Sequence, residues 1–352
     1  MKRIGLRIEA LDTLFFRDGR PFVASSRAES GLPTPQTLTG ALRSWLLKRA
    51  DCDFDLLRQD LKNGMPFAEA LAEQELETIA QLRVQGPWLA SFQNDEVNNL
   101  FLAVPAALKR VKKKQAIERL IPRKSLPGWS ASEYWPLWLS KRVELEGLSG
   151  YLNLRGMQTF LQGQTPDSED ICTAEDLYTF EARTGIGMDT ERKSNEEGLI
   201  YAVNLLRLKT GIGFYAELSL PTALESTLPK TDWVMPLGGE GRRVIVSITK
   251  PVTWPKAEPK GNQLQTQVLI SPTLLETPQQ VKSWQARSAA MHPIQGVSGW
   301  DLALGGPKPL RWMLPAGSVL YFESHASLPE LSSEDASDLG WGTYLKGVSD
   351  YV

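Results

Sequence analysis

Arg3-Ile4-Gly5-Leu6-Arg7-Ile8-Glu9-Ala10 alternates between apolar and polar or small residues. Ile4, Leu6, Ile8 and Ala10 share one face of an extended chain and Gly5, Arg7 and Glu9 the other, the pattern of a half-buried strand. The next segment is Leu14-Phe15-Phe16-Arg17-Asp18-Gly19-Arg20-Pro21-Phe22, in which three aromatics bracket two arginines and an Asp-Gly turn signal. Its bulky groups anchor a loop, while its planar guanidinium forks suit a bidentate anion such as phosphate or carboxylate. The alternative is that Arg17 and Arg20 pair with nearby acids. Thr34-Pro35-Gln36-Thr37-Leu38-Thr39-Gly40-Ala41-Leu42-Arg43 comes next, with Thr34 as N-cap, Pro35 as first helical residue, and Leu38, Ala41, Leu42, Trp45 and Leu46 on one stripe. The chain therefore begins strand, loop, amphipathic helix.

Outward from that start, the pattern predicts a helix over 67–82 and strands near 85–91 and 100–104. It predicts a hairpin of 200–208 with 212–220 around Lys209-Thr210-Gly211, and a strand at 244–248 after a glycine-rich turn. Beyond a Pro-rich, charged linker at about 251–262 come strands at 268–270 and 312–321 and a helix near 279–291. The fold class is α+β, helices covering antiparallel sheets. The stretch 167–176 is acidic and reads as an exposed loop.

Composition narrows the function classes. The 352 residues carry a net charge of −2, so nucleic acid would have to meet a local patch rather than a global basic field. Two cysteines and two histidines, His292 and His325, leave no metal or redox spacing and little support for histidine-based catalysis. No apolar run is long enough for a membrane span, and a cytoplasmic protein without metal or cofactor is expected. Residues 109–124 hold eight Lys/Arg against one acid, and read as a solvated loop or as a phosphate-backbone contact. Trp129, Tyr134, Trp135 and Trp138 beside them form either a small core or an interface.

Three glycine-centred segments carry Arg or Lys: Arg183-Thr184-Gly185-Ile186-Gly187, Leu237-Gly238-Gly239-Glu240-Gly241-Arg242, and Gly340-Trp341-Gly342-Thr343-Tyr344-Leu345-Lys346-Gly347. Each is an ordinary turn or a backbone cradle for an anion. None has the spacing of a P-loop or a dinucleotide fingerprint.

Taken in order, Leu11–Phe22, Leu32–Arg43, Gly86–Leu89 with Leu100–Pro105, Arg183–Gly187, Gly238–Arg242, Pro315–Phe322 and Gly340–Gly347 resemble one CRISPR family. It is that of the third subunit of the type III-B (Cmr) effector complex, RAMP proteins of the crRNA-handle-binding group. The resemblance implies two ferredoxin-like (RRM-type) domains with antiparallel sheets: 1–250, with an insertion at 52–198, and 263–352. It implies a non-catalytic subunit in antiviral defence that binds the crRNA 5′ handle and docks on a Cas10-type large subunit and a backbone RAMP subunit. The aromatic stacking signature of ordinary RRMs is missing, and the basic run matches no family motif.

On that reading the RNA contacts are Arg17, Arg20, the amides of Gln36 and Thr37, Arg43, Arg183, Gly185, Gly187, Gly238, Gly239, Arg242, Gly340, Gly342 and Gly347. Lys112, Lys113 and Lys114 are expected to meet RNA or a partner. The rival readings are a RAMP endoribonuclease that processes repeat RNA, a handle binder of another type III variant, and a structural clamp that touches no RNA.

Overall fold

The structure, a computed structural model, describes residues 1–16, 27–28, 30–114, 116–131, 133–139, 141–189, 194–301 and 305–352. The opening strand, Lys2–Ala10, lies inside the largest sheet among them, of eight strands. From edge to edge these are Ile171–Cys172, Tyr151–Asn153, Glu96–Ala103, Arg83–Gln93, Ile212–Leu220, Lys2–Ala10, Arg243–Thr249 and Trp233–Pro236, with every neighbouring pair antiparallel. The apolar alternation sets the register: Leu6 sits opposite Ala216 and Ile248, and Ile8 opposite Phe214 and Val246.

The helix Pro35–Arg49 covers that face. Leu38, Leu42 and Leu46 are buried against Ile4, Leu6 and Ile8, each apolar side chain removed from water contributing about 1.5–3 kcal/mol. Pro35 occupies the first turn, and Lys48 and Arg49 sit in the last, where a cation complements the helix dipole.

The opening strand is half-buried as expected, with Ile4, Leu6 and Ile8 buried and Arg7 and Glu9 part-exposed, but the sheet's other face is covered at neighbouring strands. Trp88, Ala90, Leu102 and Tyr215 belong to a cluster that also contains Met157 and Phe160 of the helix Leu154–Leu161, and Leu264, Val268 and Tyr321 of a second sheet. That second sheet runs Ser288–Ala290, Val319–Phe322, Leu264–Leu269, Tyr344–Ser349, again with antiparallel neighbours. The Trp88 indole N–H donates to the Ile270 carbonyl at 2.9 Å, joining the sheets through a buried hydrogen bond. Residues 250–260 have no regular structure but pack on the first sheet, where Trp254 meets Trp88 edge-on at 4.8 Å and donates to Glu217.

Several expected elements differ. Residues 200–208 do not pair with 212–220. Ser194–Leu208 pairs with Tyr178–Asp189 in a long antiparallel ribbon, while Ile212–Leu220 joins the main sheet, so Lys209–Gly211 hands the chain between sheets. The stretch 67–82 breaks into two short helices, Phe67–Ala72 and Glu77–Ala80, with Glu75 at φ +59 between them. The helix near 279–291 is a 3-10 helix, Pro278–Trp284, followed by the strand Ser288–Ala290. The stretch 312–321 is two strands, Arg311–Leu314 and Val319–Phe322, divided at Pro315-Ala316-Gly317. The acidic stretch is no open loop either. Asp170 is 3% exposed and accepts hydrogen bonds from Asn153 and Arg155.

The basic run also folds. Leu108–Val111 lies between Ile117–Arg119 and Leu145–Gly147 in a small sheet. Arg119 is buried and donates to the carbonyls of Phe160, Gln164 and Val348 at 2.6, 3.2 and 3.0 Å, its guanidinium stacked 4.1 Å from the Phe160 ring centroid. That cation braces the fold rather than facing solvent.

Candidate nucleic-acid interface

After the first strand the chain bends at Leu11-Asp12 and inserts Leu14, Phe15 and Phe16, all buried. Leu14 exchanges two backbone hydrogen bonds with Leu206 of the ribbon, both at 2.8 Å. The Phe16 amide donates to the Ser30 hydroxyl at 2.9 Å, and the Phe15 carbonyl accepts from the Gly239 amide at 2.8 Å. A Cβ on Gly238, at φ +83, would collide with that same Phe15 carbonyl. The aromatic anchoring expected of this segment is thus present for Phe15 and Phe16, and the 237–242 turn serves as its seat.

This arrangement brings three chain segments together at the surface. Asp12 lies 3.9 Å from Arg183, 3.3 Å from Arg207 and 3.4 Å from Arg242. Glu181, one strand position pair away on the ribbon, binds Arg183 at 2.7 Å and Arg207 at 2.6 Å. Hydrogen bonds from Arg183, then Arg207, hold the Glu181 carboxyl below its ordinary range. Glu181 in turn raises the Arg207 guanidinium, with Asp12 adding a smaller effect.

Among the described residues, three guanidiniums against two carboxylates leave one positive charge in excess, and the Arg242 Nε is enclosed with no hydrogen-bond partner. Arg183, Arg207 and Asp12 are 44–50% exposed, so water and salt screen their pairing and an incoming anion can displace it. A phosphate, like a carboxylate, offers two oxygens to a guanidinium fork and so can take the place of these acceptors.

The other expected site residues fall into separate environments. Arg17 and Arg20 lie outside the described residues. Gly185 lies in the ribbon strand opposite Tyr201, and Gly187 beside the register shift between Ile186 and Met188. Gln36 and Thr37 are half-buried at the helix start; the Thr37 amide donates to the Thr34 carbonyl at 3.0 Å, and Gln36 approaches Gly299. Arg43 is a brace: it donates to the Ala80 and Leu82 carbonyls at 2.9 and 3.1 Å and stacks on Phe67, and burial lowers its pKa.

Packing accounts for the C-terminal glycines. A Cβ on Gly340 would meet the Val84 carbonyl at 2.6 Å, one on Gly342 would strike the Ser332 hydroxyl, and one on Gly347 would lie 2.9 Å from Leu161. Lys112, Lys113 and Lys114 cap the turn after Leu108–Val111 in solvent, with Lys112 paired to Glu144 at 3.2 Å.

Asp12, Glu181 and Arg207 were missed as members of the cluster. The available signal was Arg207 itself, a cation set among Leu205, Leu206 and Leu208 in a strand. Of the histidines, His292 packs its Nε2 3.3 Å from the Val104 carbonyl, and His325 is exposed beside Glu323. Among the described residues no cluster of His, Cys, Asp or Glu has metal-binding geometry, and no helix is long and apolar enough to cross a membrane.

Two antiparallel sheets packed face to face through a shared cluster, with an arginine-rich surface where ribbon, turn and N-terminal segment meet, define an α+β protein that presents guanidiniums to an anion. The family model described as CRISPR-associated protein (Cas_Cmr3) matches residues 6–348, and the chain belongs to that family. It is a Cmr subunit of the type III-B CRISPR system.

A search of solved structures finds similar chains in the type III-B Cmr-beta complex. One, bound to cognate target RNA and AMPPnP, aligns at 16% identity and TM-score 0.52, covering 91% of this chain and 86% of that chain. Another, bound to cognate target RNA, aligns at 15% identity and the same TM-score of 0.52, with the same coverage. At that identity the likeness speaks to fold. No curated protein matches the sequence.

Proposed function

We propose that this chain is the non-catalytic subunit that grips the repeat-derived 5′ handle of the crRNA and caps the complex beside the Cas10-type large subunit and the first backbone subunit. The observation that carries this reading is the convergence of Arg183, Arg207 and Arg242 on Asp12, beside the anchored Leu14–Phe16 segment. A handle is constant among guides, so backbone, 2′-OH and shape contacts suffice to read it. Arg17 and Arg20, which follow Phe16 in the sequence, belong to the same proposed set of phosphate contacts.

The fold supports the reading. Each sheet contains four strands in which the first in the chain lies between the third and fourth, and the third lies beside the second. In one unit these are Lys2–Ala10, Arg83–Gln93, Ile212–Leu220 and Arg243–Thr249; in the other, Leu264–Leu269, Ser288–Ala290, Val319–Phe322 and Tyr344–Ser349. That is the ferredoxin-like order. It supports a reading of two ferredoxin-like units, 1–250 with an insertion at 52–198, and 263–352. A non-catalytic role is consistent with His292 being tied to the Val104 carbonyl.

The test is binding of a 5′-handle RNA by Arg17→Ala/Arg20→Ala and by Arg183→Ala/Arg207→Ala/Arg242→Ala. Each variant should bind more weakly and with a shallower salt dependence. Unchanged affinity and slope in both would remove this surface from the handle site.

A further inference from the structure

The cationic excursion at 109–142 is not absorbed by the arginine network. It contains ten Lys/Arg and two acids in a chain whose net charge is −2. Arg119 is buried, but Lys112, Lys113, Lys114, Lys141 and Arg142 are exposed. Immediately after the Ile117–Arg119 strand, the described residues of 121–138 form a small lobe closed by pairing of Ile121 with Trp138 and Pro122 with Leu137.

The four aromatics of this lobe divide by role. Trp135 is the anchor: its ring meets Tyr351 at 5.1 Å, and its amide donates to the Arg287 carbonyl at 2.6 Å. The Lys124 amide donates to Val352 at 2.7 Å, a second tie to the C-terminal unit. The remaining three rings face water, with Trp129 46%, Tyr134 37% and Trp138 38% exposed.

These exposed rings are preorganised. The Trp129 indole N–H already donates to the carbonyls of Ala131 and Tyr134, at 2.8 and 2.7 Å, so the ring needs no further polar partner. Arg123 lies over Trp138 at 5.1 Å from the ring centroid, steadied by its Nε bond to the Ser125 carbonyl at 3.1 Å. Exposed aromatics interleaved with cations, on a backbone fixed at several points, are what single-stranded nucleic acid uses: bases stack on the rings while Lys and Arg follow the phosphates.

We propose that the 121–138 lobe, with the Lys112–Lys114 turn, is a second, sequence-tolerant binding surface for single-stranded RNA. Bases stack on Trp129 and Trp138, and the lysine turn neutralises phosphates. This surface does not depend on the handle reading, because neither its rings nor its lysines belong to the Asp12 network.

The experiment uses the full chain and a fluorescein-labelled decauridylate, which carries no handle, titrated by anisotropy at several salt concentrations. Trp129→Ala/Trp138→Ala should weaken binding about tenfold or more, since each base stacked on an aromatic ring contributes substantially. Trp129→Phe/Trp138→Phe should retain most of the affinity, which separates stacking from loss of fold. Lys112→Ala/Lys113→Ala/Lys114→Ala should make the salt slope shallower by about 2, at roughly 0.7 per neutralised phosphate on a single strand.

Arg183→Ala/Arg207→Ala/Arg242→Ala serves as the cross-control. Loss of handle binding with decauridylate binding intact supports both sites separately. Decauridylate affinity unchanged in the tryptophan-to-alanine variant overturns the proposal. So does absence of decauridylate binding by the unaltered chain, the outcome expected if the lobe docks a protein instead.

Discussion

Gly238 shows how much one atom decides at this surface. At φ +83, with no room for a Cβ beside the Phe15 carbonyl, it lets the 237–242 turn close on the aromatic anchor and carry Arg242 to Asp12. Gly238→Ala should destabilise the protein by about 1–3 kcal/mol, measured by chemical denaturation, because it combines left-handed backbone with a steric clash. Glu181 offers a titration test. Its folded pKa is depressed, so its contribution is present above the ordinary glutamate value and is lost as pH falls through the lower, folded one. NMR titration of the Glu181 carboxyl should therefore give a value below that of an unpaired glutamate, rising in Arg183→Ala and Arg207→Ala; an ordinary value in the unaltered chain would contradict the network. The residue-level reading of the sequence succeeded for Phe15 and Phe16, since consecutive aromatics after a strand need burial. The partners of Arg43 are carbonyls 37 and 39 residues away, which no local pattern announces.

At the scale of elements, Arg119 ties the helix Leu154–Leu161 and the strand Tyr344–Ser349 to the small insertion sheet through three carbonyls. Arg119→Met leaves those acceptors unsatisfied and should cost about 3–5 kcal/mol, read as a lowered denaturation midpoint. The same residue explains why the basic run was only partly legible: charge counting does not separate a buried brace from exposed lysines. The 200–208/212–220 hairpin had correct strands but wrong partners. Both segments are apolar enough to be buried, and a Thr-Gly turn between them suits a hairpin. The decision lay with remote pairing, of 194–208 with 178–189 and of Leu206 with Leu14. The 312–321 stretch divides because Gly317, at φ +84, abuts the Val104 carbonyl and His292. A Pro-Ala-Gly sequence in an apolar run was the available sign.

For the whole molecule, the shared cluster around Trp88, Tyr215, Val268 and Tyr321 makes the two sheets one packing unit. Thermal unfolding followed by calorimetry should show a single transition, and Trp88→Ala should lower its midpoint, at a cost of about 3–5 kcal/mol; two separate transitions in the unaltered chain would contradict the shared core. The α+β class was readable from alternation, whereas contact between the sheets was not, because the strands it buries alternate like any half-exposed strand. The central claim is that three arginines held by Asp12 and Glu181 grip the crRNA 5′ handle. Its most direct test is the salt dependence of handle-RNA binding by the full chain against Arg183→Ala/Arg207→Ala/Arg242→Ala. The account predicts weaker binding in the variant and a slope shallower by about 2, from roughly 0.7 for each phosphate no longer neutralised. The same affinity and the same slope in both proteins would contradict it.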